Sequence, residues 1–304
     1  MAFSATDAAF EGFRVVRRTP MTIVWWALFY LVFTVLMFGL AGGSMLTMMG
    51  AAEQLQGNPT PAPEDLAPMF QAYGAFFGII MPLAIIMGAV LYGAANRAVL
   101  KPTERNWGFM RAGMDEVRIF VVSLVLAIIG MVLLGVLVLV AGVVTGFAAA
   151  SGGSGAGILT GVVAFCAVAV LAIFLSIRFC LASPITFVEK RIAIFDSWGM
   201  TKGRFWPLFG MALIALIMAL IVNLLGTLVF LPLTLMFGGL GNLTEAGTTD
   251  MMELMRTMAP AIIVYVISTA VVSALQMAVI YAPFAAAYRD IRGLSTPETA
   301  EVFA

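Results

Sequence analysis

The sequence predicts an all-α polytopic membrane protein: six transmembrane helices, laid out as three tandem helical hairpins with amphipathic interfacial segments. Three observations carry this. Apolar residues make up 62% of the 304 positions and charged residues only 11%, against about 45–50% and about 25% in ordinary soluble domains. Six stretches reach the roughly 20 apolar residues that a hydrocarbon core of about 30 Å demands. A similar short segment around a glycine precedes every odd-numbered stretch. A water-soluble globule is excluded. Sixteen basic residues balance sixteen acidic ones and no histidine is present, which argues against nucleic-acid binding and removes the commonest general base and metal ligand.

The spans run over residues 21–42, 73–95, 119–149, 158–182, 208–237 and 261–287. Arg14, Arg17 and Arg18 precede the first, with no small-residue cleavage site, so it reads as a retained anchor and not a signal peptide. The third is longer than a perpendicular helix needs, so it must tilt, kink near its glycines or project past the bilayer. Pro82 falls inside the second and should bend it, while Pro184, Pro207, Pro232 and Pro283 read as ends or kinks.

Loop charge sets the orientation. Fifteen of the 16 Lys and Arg lie in the N-terminal arm, the 2–3 connection, the 4–5 region or after the last span, with only Arg256 opposite. The positive-inside rule then makes both termini cytoplasmic. All five tryptophans, Trp25, Trp26, Trp107, Trp198 and Trp206, fall near the same boundary, where an amphipathic ring suits the headgroup layer.

The recurring segments are Glu11-Gly12-Phe13-Arg14, Trp107-Gly108-Phe109-Met110-Arg111 and Trp198-Gly199-Met200-Thr201-Lys202. They divide one integral membrane domain into approximate hairpin repeats 1–95, 96–187 and 188–304, and predict parallel, pseudo-threefold packing. In the first segment Phe3, Phe10 and Phe13 share a helical stripe, and Ser4 with Asp7 can cap it. In the second, Trp107, Met110, Met114 and Val117 form the stripe. Such helices lie in the interface, with basic residues near anionic headgroups. The candidate headgroup or partner contacts are Arg14, Arg17, Arg18, Arg111, Arg178, Lys202 and Arg204.

On the outer side, the Pro-rich segment 58–63 and the Ser/Gly-rich turn 151–157 are too small to fold. Asp250 can cap a short surface helix that presents Met251, Leu254, Met255 and Met258 on one face. The methionines could ligate Cu(I), but with no histidine or nearby cysteine they read as packing. Cys166 and Cys180, about 21 Å apart along a helix, cannot pair. No metal or other cofactor is expected.

Inside the membrane the polar pointers are Asn223, Gln276 and Arg178. Asn223 and Gln276 differ in depth by about 6 Å, so they could meet as an interhelical amide pair or as a substrate contact. Arg178 can snorkel to headgroups or pair with Glu189 or Asp196. No carboxylate lies in mid-span, which disfavours proton-driven transport, and no phosphate loop, nucleophile elbow or zinc motif is present. Gly39/Gly43, Gly74/Gly78 and Gly142/Gly146 have the spacing that lets helices approach closely, the last pair being the best placed.

The run Arg178-Phe179-Cys180-Leu181-Ala182-Ser183-Pro184, then Phe187-Val188-Glu189, then Ser197-Trp198-Gly199-Met200-Thr201-Lys202-Gly203-Arg204-Phe205-Trp206, resembles bacterial YciC-like inner-membrane proteins. It also resembles the membrane domain of some glycerophosphoryl diester phosphodiesterases. The resemblance implies a bacterial inner-membrane location. It carries over no catalytic residue, because the phosphodiesterase catalytic domain has no counterpart in this sequence. The expectation is a non-catalytic accessory, scaffold or envelope-homeostasis protein that binds membrane lipids or a membrane-protein complex. The alternative is a channel or carrier for a small or lipid-like solute.

Overall fold

A computed structural model describes residues 3–56, 62–104, 106–238 and 251–294. Every regular element among them is helical. Five helices are long and apolar enough to cross a membrane: α3 (Pro20–Gln56), α4 (Pro63–Leu100), α5 (Met114–Phe179), α8 (Phe205–Gly238) and α9 (Met251–Arg292). Four short helices gather at one end: α1 (Ala5–Ala9), α2 (Glu11–Arg18), α6 (Ala182–Glu189) and α7 (Asp196–Thr201).

Helix α5 contains two of the six expected spans. Its 66 residues would reach about 100 Å if straight. Instead Gly153 takes φ 79° and ψ 177°, a conformation open essentially to glycine alone, and the helix divides into two arms. A Cβ on Gly157 would lie 2.6 Å from that of Ala149, and one on Gly161 would lie 3.3 Å from Thr145 Cγ2. The arms therefore run back along each other, in close contact where the side chains are smallest.

Helix α9 is the axis of the remaining bundle, packing against α8, α3, α4 and α2. Ala274, Ala278, Ala282, Ala285 and Ala286 form its buried stripe, and residues this small admit backbones at close range. A Cβ on Gly12 of α2 would meet the Ala278 carbonyl oxygen at 2.5 Å, so α2 lies directly on this stripe. Ser4 caps α1, accepting from the Asp7 N–H at 3.4 Å. The docked face of α1 and α2 is Ala8, Ala9, Gly12 and Val15, while Phe10 and Phe13 stay exposed.

Several local expectations change. The stripe from Trp107 to Val117 is not one helix: Trp107, Gly108 and Phe109 all have positive φ, and α5 starts only at Met114. Gly12 and Gly199 are helical while Gly108 is left-handed, so the three repeat glycines occupy unlike settings. Pro82 lies inside α4 as expected, while Pro232 and Pro283 lie inside α8 and α9 and not at their ends. The backbone from Met251 forms the first turns of α9 and not a separate surface helix. Its expected cap Asp250 and most of the 58–63 segment lie outside the described residues.

Candidate functional site

Three polar features stand out, the first being a charged platform built from the short helices and the 101–113 connection. Arg97, 2% exposed, meets Glu116 at 2.5 Å and donates to the Phe109 carbonyl at 2.5 Å. Glu116 Oε2 also accepts from the Gly113 N–H at 3.1 Å, closing the start of α5. Trp26 Nε1 donates to the Gly108 carbonyl at 2.7 Å, and the Trp25 and Trp107 rings lie 4.9 Å apart. These contacts hold three successive left-handed residues that non-glycine side chains resist. On the other side, buried Glu11 of α2 faces Arg289 of α9 at 3.6 Å.

The segment 178–206 is the inner wall of this platform. Ser197 Oγ donates to the Arg178 carbonyl at 2.8 Å and accepts from the Leu181 N–H at 3.2 Å, satisfying backbone groups where α5 ends. Helix α6 is buried from Ala182 to Phe187, and Arg97, Lys101 and Lys190 each approach the Phe187 ring within 6 Å of its centre, at 5.4, 5.9 and 5.0 Å. Lys190 is hydrogen-bonded to Asp115. Burial pushes the Asp115 carboxyl up, but the Lys190 hydrogen bond and the charges of Lys190, Arg97 and Arg118 outweigh it and hold the group below its ordinary value.

The second feature is a slot of about 420 Å³ between the two arms of α5, on the platform side of their glycine contact. Leu126, Ile129, Leu133 and Leu137 line one wall, with Ala172 and Leu175 opposite. Tyr92, Ser123, Ser176, Cys180 and Ser183 make its platform end polar. Ser183 Oγ accepts from Asn96 Nδ2 at 3.0 Å; Asn96 is wholly buried and its Oδ1 has no partner. Ser176 donates to the Ala172 carbonyl. Tyr92, Ser123 and Ser183 have no acceptor for their hydroxyl protons among the described residues.

The third feature is a groove of about 240 Å³ between α8 and α9, lined by Asn223, Thr227, Tyr265, Ser268, Thr269 and Gln276 among others. Asn223 and Gln276 share it without bonding: Gln276 Nε2 donates to the Ala219 carbonyl at 3.2 Å, and Asn223 is exposed. Towards the platform, buried Leu208, Met211, Ala215, Ala278 and Ala282 close the helix pair.

The cationic residues singled out in the sequence divide. Arg14 pairs with Asp7 and Glu11, and Arg111 with Glu104; Arg204 donates to the Met200 carbonyl. Arg17, Arg18 and Lys202 are exposed. Arg178 makes no ion pair among the described residues. Its guanidinium stacks between Phe174 and Trp198, at 5.0 and 5.2 Å, with Nε and Nη1 buried and unbonded. Its expected partners Glu189 and Asp196 both take Arg191 instead. Sequence reasoning passed over Asn96 and Glu116, whose signal was a polar residue immediately beside the end of an apolar span.

Comparison of the chain with protein-family models, curated proteins and solved structures gives no match.

Proposed function

We propose that the chain is a non-catalytic, six-span protein of the bacterial inner membrane with cytoplasmic termini, acting as an accessory or scaffold. Its second hairpin receives a transmembrane helix of a membrane-protein partner, and its platform contacts lipid headgroups. The observation that carries this reading is the open face of Gly142 and Gly146. A Cβ at either position would meet nothing within 4 Å, and the flanking Val138, Leu139, Val143 and Phe147 are exposed. Glycines at this spacing favour close helix packing, yet no helix of the described chain approaches them. The charge asymmetry supports the orientation, and the likeness to YciC-like proteins supports the compartment.

The test is gentle extraction from native membranes at endogenous expression, followed by native mass spectrometry. A stoichiometric protein partner, lost on Gly142→Leu with Gly146→Leu, is the expected result. Bare chain from both wild type and variant would overturn the scaffold reading.

A carrier is the second reading, favoured by the hydroxyl- and amide-lined groove at Asn223 and Gln276. Polar groups at this depth mark solute paths in many membrane proteins. The packed residues below the groove close it towards the platform, which is why the scaffold reading is preferred.

A further inference from the structure

We propose that the slot between the arms of α5 binds one acyl chain of a cytoplasmic-leaflet glycerophospholipid, with an ester group at the hydroxyl cluster. This rests on the membrane orientation proposed above. The slot runs from polar at the platform end to wholly apolar at Leu133 and Leu137, the polarity order of a lipid read from glycerol to tail. Its lining contains no charged side chain, so it suits neither a phosphate nor a free carboxylate, which need a cation or several donors when desolvated. What it offers is donors without acceptors. Tyr92, Ser123 and Ser183 have unspent hydroxyl protons, and Asn96 already donates to the Ser183 oxygen, leaving the Ser183 proton as the group turned to a ligand. An ester presents acceptors and no donor, so the two sets complement each other. A volume of about 420 Å³ lies within the roughly 300–1,000 Å³ of small-ligand sites. Hydroxyls left unpaired away from water are unfavourable, and lipid esters are the acceptors available at that depth.

The experiment uses the full chain in bilayer nanodiscs of phosphatidylethanolamine and phosphatidylglycerol doped with a phosphatidylcholine whose acyl chain bears a diazirine. Photolabelled peptides are then mapped. Labelling is expected to concentrate at residues 126–137 and 172–176. It should fall about tenfold at those positions in Leu133→Trp, which fills the slot, and in the gentler Ser123→Ala/Ser183→Ala pair, which removes two donors. Labelling elsewhere should stay unchanged, and Val229→Trp on exposed α8 serves as a control. Even labelling of all exposed helix faces, indifferent to these variants, would overturn the slot. Equal labelling by a diazirine fatty acid would overturn the ester assignment. Release of the chain from membranes by alkaline carbonate would instead defeat the membrane reading itself.

Discussion

Arg97 and Glu116, 19 residues apart in sequence, form an ion pair of 2.5 Å at the junction of α4 and α5, with side chains 3% and 6% exposed. Taking both charges from water is unfavourable, and their attraction offsets it only because Arg97 also finds the Phe109 carbonyl and Glu116 the Gly113 N–H. Removing Glu116 leaves the buried Arg97 with the partly exposed Glu104, at 3.7 Å, as its remaining carboxylate. Glu116→Leu should therefore destabilise the protein by about 3–5 kcal/mol in denaturant titration of the detergent-solubilised chain. The double variant Arg97→Met/Glu116→Leu should recover at least half of that loss. A double variant no better than the single would show that the pair is not an isolated electrostatic unit.

The left-handed turn at Trp107, Gly108 and Phe109 depends on Trp26. Replacing Trp26 with Phe leaves the buried Gly108 carbonyl without its donor, a loss of about 1–3 kcal/mol. Gly108→Ala should be at least as harmful, because φ is +64° and the new Cβ would sit 2.8 Å from that of Trp25. Thermal unfolding midpoints of the two variants check both statements. An unchanged midpoint in Trp26→Phe would mean that this hydrogen bond does not hold the turn.

Asp115 gives the platform a pH dependence of defined sign. Its folded pKa lies below the ordinary value, so its contribution is fully present above the unfolded pKa of about 4. That contribution fades as pH falls through the lower folded value. The stability difference between wild type and Asp115→Asn should thus be flat from about pH 7 down to about pH 5 and shrink below about pH 4. A difference that grows on acidification would contradict the Lys190 pairing.

The arm register of α5 is open to a direct test. In a background of Cys166→Ala and Cys180→Ala, the pair Thr145→Cys/Gly161→Cys should form a disulfide readily, since the Cβ placed on Gly161 lies 3.3 Å from Thr145 Cγ2. Gly153→Ala should weaken this cross-link and cost about 1–3 kcal/mol through strain at a glycine-only conformation. A chain in which α5 continued straight would give no cross-link at all.

The all-helical fold, with helices long and apolar enough to cross a membrane, was legible because hydrophobic length is a property of sequence alone, and so was an interruption within 151–157, where Ser and Gly break the apolar run and Gly153 leaves helical geometry. The slot was not legible, since it depends on how two arms diverge after touching at Gly157 and Gly161, which no periodicity records. Ser183 and Ser197 were visible inside the resembling run, but their roles were hidden because their partners Asn96, Arg178 and Leu181 are fixed by tertiary contacts. Asn223 and Gln276 line one groove without bonding to each other. Their failure to bond reflects a carbonyl of α8, that of Ala219, which competes for the Gln276 amide.

That competition separates the two functional readings. If the α8/α9 groove only helps to hold helices together, Gln276→Leu should destabilise by about 0.6–2 kcal/mol through loss of its interhelical bond. Asn223→Leu, at an exposed position whose side chain makes no hydrogen bond among the described residues while its carbonyl accepts from Thr227, should be neutral or slightly stabilising in lipid. Neither should alter solute permeability of reconstituted vesicles. If the groove carries a solute, Asn223→Leu should instead abolish flux while leaving stability unchanged, because the amide would serve the solute and not the fold. Measuring unfolding and vesicle flux on the same preparations of both variants distinguishes the cases, since a purely structural residue moves only the first readout and a solute-contacting residue only the second.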